Sequence, residues 1–164
     1  MRILVLGVGN ILLTDEAIGV RIVEALQQRY VLPDDVDVLD GGTAGMELLS
    51  EMADRDHLII ADAVVSRKGV PGDILILRDD DVPTLFTNKI SPHQLGLADV
   101  LSALRFTGEF PRKLTLVGVI PASLEPHIGM TTVAETALET ALQHVIAALR
   151  ESGVKVASRE ACYE

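Results

Sequence analysis

The chain has 164 residues, enough for one compact domain with a sizeable core, and 48% of them are hydrophobic. A formal net charge of -10 excludes a broad basic surface for nucleic acid or anionic lipid and favours solubility, with a neutral or basic partner. With three Phe, two Tyr and no Trp, the core must be built from Val, Ile, Leu and Ala, which suits a buried parallel sheet covered by helices.

From the N-terminus, MRILVLGVG carries one Arg and only a short apolar run before Gly7, so no signal peptide is expected. A strand is predicted over 2–7 and a helix over 15–30, followed by a strand over 36–40 and a helix over 44–54. The apolar runs at 57–62 and 73–78 read as two further strands, and because no helix separates them, 73–78 is expected to run antiparallel to its neighbour. Helical periodicity returns over 93–105, a strand over 113–119 follows, and the last helix spans about 131–151. Strands alternating with helices predict an α/β fold, a three-layer αβα sandwich around a mostly parallel twisted sheet of about five strands. Residues 1–152 are expected to form a single α/β domain, with 153–164 a loosely ordered tail. No run reaches the roughly 18 apolar residues of a membrane helix. The one cysteine, Cys162, excludes an internal disulfide or a cysteine metal cluster, so a cytoplasmic protein with no membrane partner is expected.

The segment GVGNILLTDEAIG (7–19) invites comparison with a dinucleotide fingerprint, in which a third glycine permits close helix packing. Gly7 and Gly9 fit, and Asp40 imitates the ribose-binding acid, but Leu12 occupies the third position. Thr14-Asp15-Glu16 would also set two negative charges where a pyrophosphate should lie. Charge therefore argues against a nucleotide. With Thr14 as N-cap, Asp15 and Glu16 fall in the first helical turn, where the helix dipole stabilises carboxylates.

Asp62 closes an apolar strand at the carboxyl edge of the sheet, where open α/β folds place their ligands. Ser91-Pro92-His93 reads as the start of a helix, so His93 also arrives at a helix N-terminus. Glu16, Asp62 and His93 thus converge from a helix start, a strand end and a second helix start, resembling an open metal site. Each alone has a blander role: Glu16 as a dipole partner, Asp62 as a cap, His93 as a solvated side chain. His57 opens a strand, His144 lies on a solvent face of the last helix, and His127 sits in a loop able to rim the same cleft. No Gly-x-Ser-x-Gly elbow, Walker loop or Cys–His pair is present, which argues against nucleophilic Ser or Cys catalysis. In LDGGTAGMELL (39–49), Gly41-Gly42 gives a permissive backbone and Thr43 is expected to cap the next helix; the segment reads either as a tight strand-to-helix turn or as a place where an extended peptide approaches the backbone with Asp40 nearby to activate water.

Five segments in order, GVGNILLTDEAIGV, LDGGTAGMEL, IIADA, HQLGL and VGVIPASLEP, closely resemble the nickel-iron hydrogenase maturation endopeptidases over roughly residues 1–152. The resemblance implies an endopeptidase that removes a short C-terminal extension from the hydrogenase large-subunit precursor after nickel insertion. It implies metal ligation by Glu16, Asp62 and His93, and a direct part in cleavage for Asp40, in keeping with an aspartic-type grouping. Ala17 and Met130 depart from the family pattern, where glycine and leucine are usual, and the tail carries no family motif. The metal implied is nickel, held in the precursor, although zinc or cadmium suits the same donors. In one mechanism the three ligands hold a metal that acidifies water; in the other they engage the nickel of the precursor while Asp40 serves as general base. A non-catalytic chaperone that masks the precursor tail is the rival reading. The protein is expected to be monomeric.

Overall fold

A computed structural model describes residues 1–66, 69–87 and 92–159, with the side chains of Thr87, Pro92 and His93 outside the description. Ser91 and Cys162, both singled out above, also lie outside the described residues. In chain order the elements are β1 (Ile3–Val8), α1 (Ile18–Arg29), β2 (Tyr30–Val31), β3 (Val36–Gly42), α2 (Leu49–Met52), β4 (His57–Ala63), β5 (Ile74–Arg78), α3 (Asp81–Thr87), α4 (Pro92–Thr107), β6 (Lys113–Val119), α5 (Thr132–Glu151) and β7 (Ala157–Ser158). Single 3-10 turns, Thr14–Ala17 and Met46–Leu48, lead into α1 and α2.

The five-stranded sheet has the order β3-β1-β4-β6-β5. The first four strands are parallel, and β5 pairs antiparallel with β6 from Ile74↔Val119 to Arg78↔Thr115. The reversed direction of residues 73–78 is as expected, but the neighbour is β6 rather than the preceding strand. The place beside β4 is filled by β6, which returns in parallel after α4.

Both faces of the sheet are covered, which is why β1 and most of β4 read as nearly unbroken apolar runs. Along β4, Ile59, Ala61 and Ala63 pack with α1 and α5, while Leu58 and Ile60 pack with Leu97, Leu101 and Leu104 of α4 and Phe86 of α3. Each such side chain taken fully from water contributes about 1.5–3 kcal/mol. The two clusters make a three-layer αβα arrangement.

Three elements, α3, β2 and β7, escaped the periodicity. At the start of α3, Asp79-Asp80-Asp81 and Pro83 imitate a turn, yet proline is accommodated in a first helical turn and Val82 and Phe86, one turn apart, are fully buried. The tail expected to be loosely ordered is instead stitched down over its described part: β7 pairs antiparallel with β2, and the Arg159 guanidinium donates to the Gln27 carbonyl at 2.9 and 3.0 Å. That cation satisfies a carbonyl in the last turn of α1, where helix ends accept positive charge.

Close approach explains the glycines. A Cβ on Gly19 would lie 2.2 Å from the Ala61 carbonyl oxygen and 2.4 Å from that of Val8, and one on Gly7 would lie 2.4 Å from the Gly19 oxygen. Helix α1 therefore rests directly on the ends of β1 and β4. Gly19 performs the packing task that a dinucleotide fingerprint gives to its third glycine, twelve residues after Gly7. At the opposite edge, buried His57 places Nδ1 2.6 Å from Ser152 Oγ and Nε2 2.8 Å from Thr115 Oγ1, joining the end of α5 to the sheet. Burial, helped by nearby Lys113, pushes its pKa down.

Gly19→Ala should destabilise the fold at or beyond the upper end of the about 1–3 kcal/mol typical of overpacking, because its obstacles are backbone atoms; an unchanged urea midpoint would refute the close approach. For His57 the depressed folded-state pKa means that stability is fully present above the ordinary histidine value of about 6.5 and falls as pH drops below it, where the unfolded chain takes up the proton first. Urea titrations between about pH 8 and pH 5 should show this decline, and His57→Gln should remove that portion of it.

Candidate functional site

The carboxyl ends of β1, β3, β4 and β6 share one edge with the starts of α1, α4 and α5. The turn that opens α1 is pinned there. Thr14 adopts a positive φ of 51°, rare for a β-branched residue, and its N–H donates to the His127 carbonyl at 3.0 Å. Its hydroxyl donates to the Glu125 carbonyl rather than capping the helix as expected; Leu13 holds the cap position, without a side-chain bond.

Asp15 is fully buried. Its Oδ2 accepts from the N–H groups of Ala122 (2.8 Å) and Ser123 (3.2 Å) and from the Thr131 hydroxyl (2.8 Å), while Oδ1 accepts from the Thr131 N–H (2.8 Å). Burial alone would raise its pKa, but the bonds from Thr131, Ala122 and Ser123 outweigh that and hold the carboxyl below the usual range. The Asp15 N–H in turn donates to the Ser123 carbonyl at 3.1 Å. Of the two adjacent acids in Thr14-Asp15-Glu16, Asp15 is thus the anchor, and half-buried Glu16 stands at the head of α1. Sequence alone carries no signal that separates these two roles.

Asp62 lies on the α4 face of β4, in step with Leu58 and Ile60, and is fully buried. Oδ1 accepts from the Ala63 N–H at 2.8 Å and Oδ2 from Gln94 Nε2 at 2.9 Å. Helix α4 begins at Pro92, so His93 falls in its first turn as expected, but its imidazole lies outside the described residues. Among the described residues, no three His, Cys, Asp or Glu side chains form a group able to hold a metal. Gly19, pressed on the Ala61 carbonyl, sets the head of α1 beside the end of β4, bringing the segments that carry Glu16 and Asp62 together.

Strand β3 ends in a bulge, Gly7 pairing with Asp40 and Val8 with Gly42, which leaves Gly41 as the extra residue. Asp40 is exposed, and its Oδ1 accepts the Gly42 N–H at 2.9 Å across a left-handed Gly42. Thr43 does not cap the following helical turn: Gly45 precedes it, and Glu47 Oε2 accepts the Gly45 N–H. A Cβ on Gly45 would sit 3.2 Å from the Gly96 Cα, so this loop docks on the first turns of α4. His127 is exposed beside the Leu12–Thr14 segment, its N–H donating to the Leu12 carbonyl at 2.9 Å; His144 is exposed on α5, and His57 lies at the far edge. A groove of about 400 Å³ opens on the site side between Val65, Ser66, Gly69 and Pro71 on one wall and Ile120–Leu124 on the other.

The sequence profile described as hydrogenase maturation protease matches residues 20–148. The chain belongs to the hydrogenase maturation protease family. The hydrogenase 2 maturation protease of Escherichia coli (strain K12) is 77% identical over 164 residues, covering 100% of both chains. The hydrogenase expression/formation protein HupM of Azotobacter chroococcum mcd 1 is 45% identical over 161 residues, covering 97% of this chain and 77% of that one. The solved structure of the hydrogenase maturating endopeptidase HybD from E. coli superposes with a TM-score of 0.96 at 78% identity, covering 98% and 99% of the two chains. The α/β fold is therefore that of these maturation proteases. Asp40, Asp62 and His93 lie inside the stretch matched by the family profile, and Glu16 within the full-length match to the E. coli protease.

In this protease Asp15→Asn should lower the unfolding free energy by about 1–3 kcal/mol, because an amide nitrogen would then face N–H and O–H donors; a urea melt unchanged from wild type would contradict the anchoring role.

Proposed function

We propose that this chain is the endopeptidase that removes a C-terminal extension from the nickel-loaded large-subunit precursor of a nickel-iron hydrogenase. The full-length 77% identity to a hydrogenase 2 maturation protease supports this most directly. The gathering of Glu16, Asp62, the His93 segment and Asp40 on one edge of the sheet agrees with it. We read residues 1–152 as the catalytic unit, acting as a monomer in the cytoplasm; no helix of the described residues is long and apolar enough to cross a membrane.

In this reading Glu16, Asp62 and His93 engage the nickel already seated in the precursor, which enters as part of the substrate. Two carboxylates and an imidazole are donors that nickel, zinc or cadmium accept. Each Asp62 oxygen is already oriented by a donor of the protein, Oδ1 by the Ala63 N–H and Oδ2 by Gln94 Nε2. Asp40, exposed at the β3 bulge, takes a proton from water as the oxygen adds to the scissile carbonyl. That proton then passes to the departing amine as the C–N bond breaks. A precursor without nickel offers nothing for the three donors to grip, so cleavage waits for metal insertion.

Purified protein incubated with nickel-loaded and nickel-free precursor, with precursor masses read before and after, should release the C-terminal peptide from the loaded form only. Cleavage of both forms would move the metal into the enzyme's own chemistry, and cleavage of neither would favour a masking chaperone. Glu16→Gln should lower kcat/KM at least ~10-fold without unfolding the chain, and Asp40→Asn should lower kcat by about 10²–10⁴.

A further inference from the structure

We infer that Gln94 is a positioning residue for this reaction, acting through Asp62 to set how the protein meets the nickel of the precursor. This rests on the assignment of Asp62 to that nickel. Gln94 is 4% exposed, and its single side-chain nitrogen spends both hydrogens, one on Asp62 Oδ2 at 2.9 Å and one on the Ala63 carbonyl at 3.0 Å. Turning the amide over would set its oxygen against a carboxylate and a carbonyl at once. Only the donor end of the side chain fits.

A carboxylate removed from water needs donors, and its orientation follows from where they are. For Asp62 the Ala63 N–H secures Oδ1, and Gln94 secures Oδ2 from the opposite element. The plane of the carboxylate is thereby held against rotation about its terminal torsion, which is otherwise broad. Residue 94 also directly follows His93 in the first turn of α4. The same two bonds therefore tie the start of α4 to the end of β4 and set the spacing between two of the three segments proposed to meet nickel. Partners that orient a metal-binding group in this way contribute ~10- to 100-fold to affinity or activity.

The test compares Gln94→Met, which keeps length but has no donor, and Gln94→Glu, which keeps shape but puts an acceptor where the donor was. Asp62→Ala is measured beside them. With nickel-loaded precursor, both Gln94 variants should raise KM ~10- to 100-fold while kcat stays within about threefold of wild type, at protein concentrations corrected for the folded fraction by circular dichroism. A purely structural residue would lower the melting temperature and leave KM of the folded fraction unmoved. If Asp62→Ala cleaves normally, the assignment of Asp62 itself fails. If Asp62→Ala loses cleavage while folded Gln94→Met or Gln94→Glu keeps the wild-type KM, or loses kcat alone, the positioning role is overturned and the Asp62 assignment stands.

Discussion

One buried negative charge holds the site edge together. Asp15 receives four hydrogen bonds from three residues spread over 122–131, and its own N–H returns one to Ser123. A carboxylate at zero exposure survives in charged form only because those donors replace water. The exchange joins the turn before α1 to the turn before α5, segments more than a hundred residues apart. Thr14 holds its left-handed backbone within the same clamp, tied to residues 125 and 127. Glu16 follows directly, so the head of α1 is placed by its inward-facing neighbour.

A second layer of restraint is steric. Gly19 and Gly7 let α1 settle on the strand ends, and Gly45 meets Gly96 where the Asp40 loop reaches α4. Glycine at 96 carries a helix-propensity cost of about 1 kcal/mol relative to alanine, which the docking of that loop explains. The elements that present carboxylates are thus held by backbone contact, and a carboxylate on a short side chain inherits the precision of its backbone. Open α/β folds commonly place chemistry at this edge, and here the packing makes the edge stiff.

The five strands of the main sheet were legible in the sequence because a sheet covered on both faces favours apolar residues at most of its positions, and four of the five helices showed their amphipathic period. What failed was local chemistry with more than one solution. Thr14 and Thr43 both look like helix caps, yet the first finds a carbonyl across the fold and the second is displaced by a glycine two residues on. The triple aspartate before Pro83 conceals a helix whose two buried anchors are too few to show a period. Strands β2 and β7, of two residues each, are too short to register. Asp62 and Glu16 were reachable from topology, since a strand end and a helix start are visible in a pattern. Asp15 and Gln94 were not, because their importance lies in partners that only the fold brings near.

Helices α1 and α5 run from the site edge back to the opposite one, where His57 meets Ser152 and where Met1 lines a groove with Asp56, Arg112 and Lys113. The β2–β7 ribbon and the Arg159 contact to Gln27 hold the chain down to residue 159 at that same far end. Among the described residues, a bulky folded substrate approaching the strand ends therefore meets the starts of α1, α4 and α5 and the loops beside them. An affinity handle or reporter fused before Met1 emerges on the side of the molecule away from the candidate site.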